Sequence, residues 1–233
     1  MDERSRRAAV SRFVGVLPVA AVLAGLAMST WALAPVLAPH VQPAQVGELV
    51  SKNVPFWWLH AAGTGAAGAL ATVVALYALV RLPVRPLSVA GWLALALFGL
   101  SALLGAVAGK DCAESLDTAC RRIGGVGPLT FSHYMHTAAE VFSVAAAGVA
   151  MLTLGVLARQ QGWSRAFTRA VPPLLVLYTA SAAAVSLLRP GMLAATAPRW
   201  PDLVLLAAAD RALHMSLAVW LILLGYALWT RPA

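Results

Sequence analysis

Six long apolar runs follow one another along the chain, near residues 13–38, 55–80, 88–108, 129–158, 171–188 and 203–229, separated by short polar or charged segments. An apolar run of about 20 residues crosses a hydrocarbon layer roughly 30 Å thick when it is helical. Water is missing from that layer, so each run must close its backbone hydrogen bonds internally. The pattern predicts an all-α, six-transmembrane-helix bundle forming a single domain over residues 1–233, with almost nothing left for a soluble domain. The opening MDERSRR before an apolar run has the look of a secretory leader. The run is too long for a leader core and no small-residue cleavage site follows cleanly, so it is read as the first span.

Composition agrees with the pattern. Hydrophobic residues make up 61% of the chain and charged residues 11%, with a mean hydropathy of +0.79, whereas soluble domains carry about 25% charged residues. Basic residues near span ends are retained in the cytoplasm, and one side of the predicted bundle holds Arg4, Arg6, Arg7, Arg12, Arg81, Arg85, Arg159, Arg165, Arg169 and Arg231. The opposite side holds Lys52, Lys110, Arg121, Arg122, Arg189 and Arg199, offset by Glu48, Asp111, Glu114, Asp117 and Asp202. Both termini are therefore expected in the cytoplasm of a multi-pass cell-membrane protein. The net charge of +8 then meets anionic lipid headgroups and does not point to nucleic acid.

Cys112 and Cys120 both fall in the 109–128 loop, on the side that the arginines assign to the exterior. In an oxidising compartment they are expected to pair, closing a short loop worth about 2 to 3 kcal/mol on the chain-entropy account; two free thiols are the alternative.

Against this apolar background the stretch FSHYMHTAAE, residues 131–140, stands out. Residues three, four and seven apart share a helical face, so His133, His136 and Glu140 form one stripe running inward from the outer end of the fourth span. His60 lies at a similar depth in the second span, and Asp210, Arg211 and His214 in the sixth. A charged side chain near the bilayer centre costs about 2.5 to 3.5 kcal/mol, so such residues usually face a partner or a wet cavity. One shared polar pocket drawn from three spans would satisfy all of them. Each also has a plainer reading. Asp210 and Arg211 could link neighbouring spans, His60 could meet headgroups beside its Phe-Trp-Trp run, His136 and Glu140 could form an interhelical network, and His133 could simply be wet. His40, in a loop, is given no role.

Small residues, as in AAGTGAAGALA and SVAAAGVA, let helices approach closely in lipid. No phosphate-binding glycine loop, paired CxxC, HExxH or GxSxG nucleophile elbow is present, and no internal repeat supports a transporter. Pro172 and Pro173 are read as opening the fifth span, where early helical positions tolerate proline.

The order of the six spans, GKDC before the HTAAEVF run, the turn ARQQGWSRAF and the closing ADRALHMSLAVWLILLGYAL resemble the bacterial and archaeal membrane family known as domain of unknown function 998. That family typically carries a histidine at the start of span four, matched here by His136 or His133. It also carries a Gln-Arg pair early in span six, matched by Asp210-Arg211 with aspartate replacing glutamine. The family implies a fold and no activity. At the level of the site alone, the chain is similar to the alkaline ceramidase and adiponectin-receptor superfamily, whose membrane histidines bind zinc and which hydrolyses lipid amides or esters. That similarity implies His60, His136 and His214 as zinc ligands, with Glu140, Asp111 or Asp210 as proton acceptor. That superfamily has seven spans and orders its histidines differently, so the similarity is one of site.

The function expected is an enzyme acting on a lipid or isoprenoid from an outward-facing polar pocket, with zinc-dependent hydrolysis one option and Arg211 and His133 contacting substrate. Three alternatives stand beside it. One is lipid or partner binding without chemistry, with Arg211 as an anion clamp. Another is metal-free acid-base chemistry on an isoprenoid by Asp210 or Glu140. The last is haem ligation by His60 with His133 or His136. The pattern carries no signature of substrate identity or oligomeric state.

Overall fold

The computed structural model describes residues 3–39, 44–81, 85–117, 119–120, 129–194 and 200–230. Of the residues named above, His40, Arg121, Arg122, Arg199 and Arg231 lie outside them, as do the side chains of Arg4, Arg6, Arg7 and Arg12. The described chain is all-α and contains six helices long and apolar enough to cross a membrane. Helix α1 covers Glu3–Met28, continues through a 3₁₀ stretch at Ser29–Leu33, and ends in the short α2, Ala34–Leu37. Then come α3 (Trp57–Arg81), α4 (Pro86–Ala108), α5 (Phe131–Gln160), α6 (Arg165–Ala194) and α7 (Trp200–Trp229).

Five of the predicted spans match these helices closely; the fifth differs. It begins at Arg165 rather than at the prolines, so Pro172 and Pro173 lie inside α6. Proline is tolerated within a lipid-embedded helix where local adjustments re-satisfy the freed carbonyls. The helix also runs past residue 188 to Ala194, which keeps Arg189 helical.

The spans form a ring in the order α1, α3, α4, α5, α6, α7, closing back on α1. Small residues set its closest approaches. A methyl group added at Gly99 would come within 2.5 Å of the Gly68 carbonyl oxygen, and one at Gly225 within 2.5 Å of the Pro18 carbonyl oxygen. Glycine at these points lets α3 meet α4, and α1 meet α7, at backbone distance, the arrangement that packing in lipid favours. Trp92, Phe98, Leu95, Leu154, Trp220 and Phe167 fill the interior. The seam between α5 and α6 is the loosest in the ring. Only 17% of the apolar window of α6 is buried, against 33–50% in the other spans, so α6 stands partly away from its neighbour.

One end of the bundle is capped by two loops. Residues 44–56 fold over the helix ends, with a 3₁₀ turn at Val46–Glu48. Residues 109–117 lie against them, the Lys52 N–H donating to the Lys110 carbonyl at 3.1 Å and the Ala113 N–H to Asn53 Oδ1 at 3.0 Å. Gly109 makes the reversal after α4 with φ +62°, a conformation open to glycine at little cost. Cys112 and Cys120 form the expected disulfide, with Cα atoms 6.0 Å apart. Replacing both with serine is expected to lower stability by about 2 to 3 kcal/mol, read as an earlier thermal transition in detergent; an unchanged transition would mean that the loop is held without the bridge.

Candidate functional site

The N-terminus of α5 is where the loops and helices meet. Thr130 caps this helix, its hydroxyl accepting from the His133 N–H at 3.4 Å. The Asp111 carboxylate accepts from the Thr130 N–H at 3.0 Å and from its hydroxyl at 2.8 and 2.9 Å. Burial pushes the Asp111 carboxyl up, but the Thr130 hydrogen bonds, with His133 and Lys52 nearby, leave it below its ordinary value. A lowered carboxyl stabilises the fold above the ordinary carboxylate range and loses that contribution as pH falls through it. Asp111 thus ties a loop to a helix start, and the proton-acceptor role expected of it finds no support in its position, since it lines neither cavity described below.

One and two turns further along α5 the stripe read from FSHYMHTAAE turns inward. His133 is buried, with Nε2 3.4 Å from Glu114 Oε1. His136 is buried with Nδ1 2.7 Å from the Gly105 carbonyl oxygen. A carbonyl only accepts, so Nδ1 carries the hydrogen and Nε2 is the nitrogen free to take a proton. Glu140 Oε2 lies 3.5 Å from Lys110 Nζ and 3.5 Å from an Arg189 guanidinium nitrogen. Arg189 also lies 3.6 Å from Glu114. On α7, Asp210 accepts from the Val46 N–H at 2.5 Å and lies 3.5 Å from His214 Nδ1, which in turn is 2.9 Å from the Asp210 carbonyl oxygen. Glu48 is held chiefly by hydrogen bonds. Its carboxylate accepts from the Gln45 N–H at 3.1 Å, the Ser115 N–H at 2.9 Å and the Ser115 hydroxyl.

Three spaces lie at or beside this network. A cleft of about 550 Å³ opens at the α5–α6 seam, lined by Val141, Val144, Ala145, Ala182 and Val185, with Glu140, Arg189 and Asp210 at its polar end. A second apolar cleft of about 400 Å³ shares Val144, Ala145 and Ala182 with it and runs on past Tyr178. The rim is open to the surroundings, Val141 being 62% exposed. Behind Glu140 lies a small cavity of about 50 Å³, whose mostly apolar wall also carries the side chains of His136, His214, Ser101, Ser143 and Thr64. That is room for about one water molecule. Glu140 lines both this cavity and the larger cleft.

The residues singled out from sequence are thus sorted by the fold. Glu140, His136, Asp210 and His214 come together, with His133 joined through Glu114 and Arg189. His60 is buried one turn before Thr64 on α3, its Nδ1 without a hydrogen-bond partner, and lines neither the cleft nor the small cavity. Among the described residues no three His, Cys, Asp or Glu side chains are grouped to hold a metal ion, so the triad of His60, His136 and His214 does not fit zinc. The haem alternative also required His60 to face His133 or His136, but His133 is turned to Glu114 and His136 to the Gly105 carbonyl. Arg211, half-buried on α7, does not line the cleft; the guanidinium that does is Arg189.

Lys110, Glu114 and Arg189 belong to this network, although the sequence reading counted them only as charges on the outer side. Lys110 is only 1% exposed. The signal for Arg189 was its position seven residues after Ala182, on the same helical face.

The Val46 N–H bond to Asp210 yields a clean test. Gln45 already has φ −67° and ψ 154°, the backbone required before proline, and Val46 opens a 3₁₀ turn. Val46→Pro therefore removes the donor with little backbone strain and is expected to cost about 1 to 3 kcal/mol, read from thermal unfolding. A cost no greater than that of Val46→Ala would show that the bond contributes nothing.

Comparison of the chain with protein-family models, with curated proteins and with solved structures finds no match.

Proposed function

We propose that this protein is a membrane-embedded enzyme that takes a lipid or isoprenoid into the α5–α6 cleft and acts on its polar end by metal-free acid-base chemistry. The observation that carries the reading is the position of Glu140. It is at once the polar end of a long apolar cleft and a wall of the small cavity that contains His136 and His214. Pockets that take small amphiphiles are mostly apolar with a few convergent polar groups, and the two joined clefts have that character. Glu140 and Asp210 are the candidate acid and base, because both line the cleft and a general acid or base must lie within hydrogen-bond reach of the reacting group. Arg189 and Lys110 hold Glu140 in position.

The capped end is taken to face away from the cytoplasm, with both termini inside. The arginine distribution and the Cys112–Cys120 disulfide in the capping loops support that orientation. Membership of the domain of unknown function 998 family is proposed on the motifs quoted above.

Lipid binding without turnover is a second reading, favoured by the ion pairs that already engage Glu140 on two sides. The two readings separate on one experiment. Purified protein is incubated with a total membrane lipid extract and the lipids are followed by mass spectrometry. The enzyme reading expects one lipid class to be consumed, and a rate at least about 100-fold lower in Glu140→Gln, as for loss of a general acid or base. Retention of one lipid class with no product would favour binding alone.

A further inference from the structure

The chemistry of the lipid head can be narrowed, given the reading of the cleft as a lipid site. Among the described residues four carboxylates, Glu48, Glu114, Glu140 and Asp210, act on one another here with three permanent cations, Lys110, Arg189 and Arg211. Arg189, the cation at the cleft, already lies between two of those carboxylates at 3.5 and 3.6 Å. A phosphate or carboxylate head entering there would add negative charge to a buried group that is already short of positive charge, and like charges in a low-dielectric site repel strongly.

The unmet need at this point is a donor. Glu140 Oε2 is buried and has no hydrogen-bond partner. Its two cations stand at 3.5 Å, beyond the 2.7–3.2 Å of an N–H···O bond. A buried carboxylate oxygen in that condition is costly, and a hydroxyl or ammonium group at the cleft's polar end would relieve it. Asp210, the second carboxylate there, already accepts a hydrogen bond from the Val46 N–H, whereas Glu140 carries the buried oxygen with no such bond, so Glu140 is the carboxylate assigned to receive the donor. Of the remaining lining residues Ser186 alone has a polar side chain, and its hydroxyl donates to the Ala182 carbonyl at 2.8 Å, which leaves its oxygen able to accept rather than to donate.

We infer that the α5–α6 cleft selects amphiphiles whose head carries a hydrogen-bond donor, an alcohol or an amine, and rejects those with a phosphate or carboxylate head. The donor binds the Glu140 carboxylate at the cleft's polar end and the tail runs between α5 and α6 towards Tyr178.

Competition with matched tails tests this in the wild-type protein. The chain is reconstituted in phosphatidylcholine nanodiscs and labelled with a diazirine-bearing hexadecanol, and the cross-linked peptides are identified by mass spectrometry. Hexadecanol, hexadecylamine, hexadecyl phosphate and palmitate are then used as competitors. The expected result is labelling of peptides containing Val144, Ala145 or Ala182, displaced by the alcohol or the amine at concentrations at least about tenfold below those needed of the two anions, the factor set by one hydrogen bond to a charged group. If the amine competes better than the alcohol, charge contributes as well as donation; equal competition assigns the effect to the donor alone. Displacement by hexadecyl phosphate or palmitate as readily as by the alcohol overturns the inference while leaving the cleft a lipid site. Absence of labelling at the cleft overturns both.

Discussion

Replacing Lys110 by methionine is expected to destabilise the bundle by about 3 to 5 kcal/mol, the cost of removing one partner from a buried charge pair. Methionine keeps most of the apolar stem, so packing changes little. What is lost is the ammonium beside Glu140, in a position 1% exposed. Glu140 would keep only Arg189, which it shares with Glu114. Glu140→Gln should also destabilise, because it strands Lys110. The double variant Lys110→Met, Glu140→Gln removes both charges and is expected to be more stable than the sum of the single effects by about 0.5 to 3 kcal/mol. Thermal unfolding of the four proteins in one detergent measures this. Strict additivity would mean that the 3.5 Å pair carries no coupling.

A tryptophan at Ala182 is expected to empty the cleft of lipid while leaving the fold intact. Ala182 lines both the upper cleft and its extension past Tyr178, so an indole there occupies the space where the two join. It would project into an existing space rather than into the close-packed core, which spares it the usual penalty of overpacking. Native mass spectrometry of the protein released from nanodiscs should find bound lipid reduced about tenfold or more, a change of about 1.4 kcal/mol in binding. Ala180→Trp, on the exposed side of the same helix and lining neither cleft, is the control and should retain lipid. Equal retention in both variants would mean that lipid binds elsewhere.

The bundle was legible because six apolar runs of membrane-spanning length leave no other way to satisfy the backbone. Its site was legible where a polar side chain interrupted such a run. Glu140, His136, Asp210 and His214 announced themselves in that way, and the fold brings them together. The partners of these groups gave no such signal. Lys110, Glu114 and Glu48 sit in segments rich in charges of both signs, which ordinarily lie in water. Only the folding of two loops over the helix ends, with the chain reversal at Gly109, carries Lys110 inward. Arg189 was hidden for another reason, since Pro190 reads as a stop while α6 continues to Ala194. The grouping of His60 with His136 and His214 rested on depth along the helices, and depth alone does not determine which way a helix face points.

The account turns on an open, amphiphile-shaped space at the α5–α6 seam whose polar end is Glu140. A cryo-electron microscopy structure of the protein in lipid nanodiscs tests that most directly. Elongated density lying between Val144 and Ala182, with its head within hydrogen-bond distance of Glu140, is the predicted result. A seam closed by direct packing of α5 on α6, with Glu140 sealed behind it, would contradict the account.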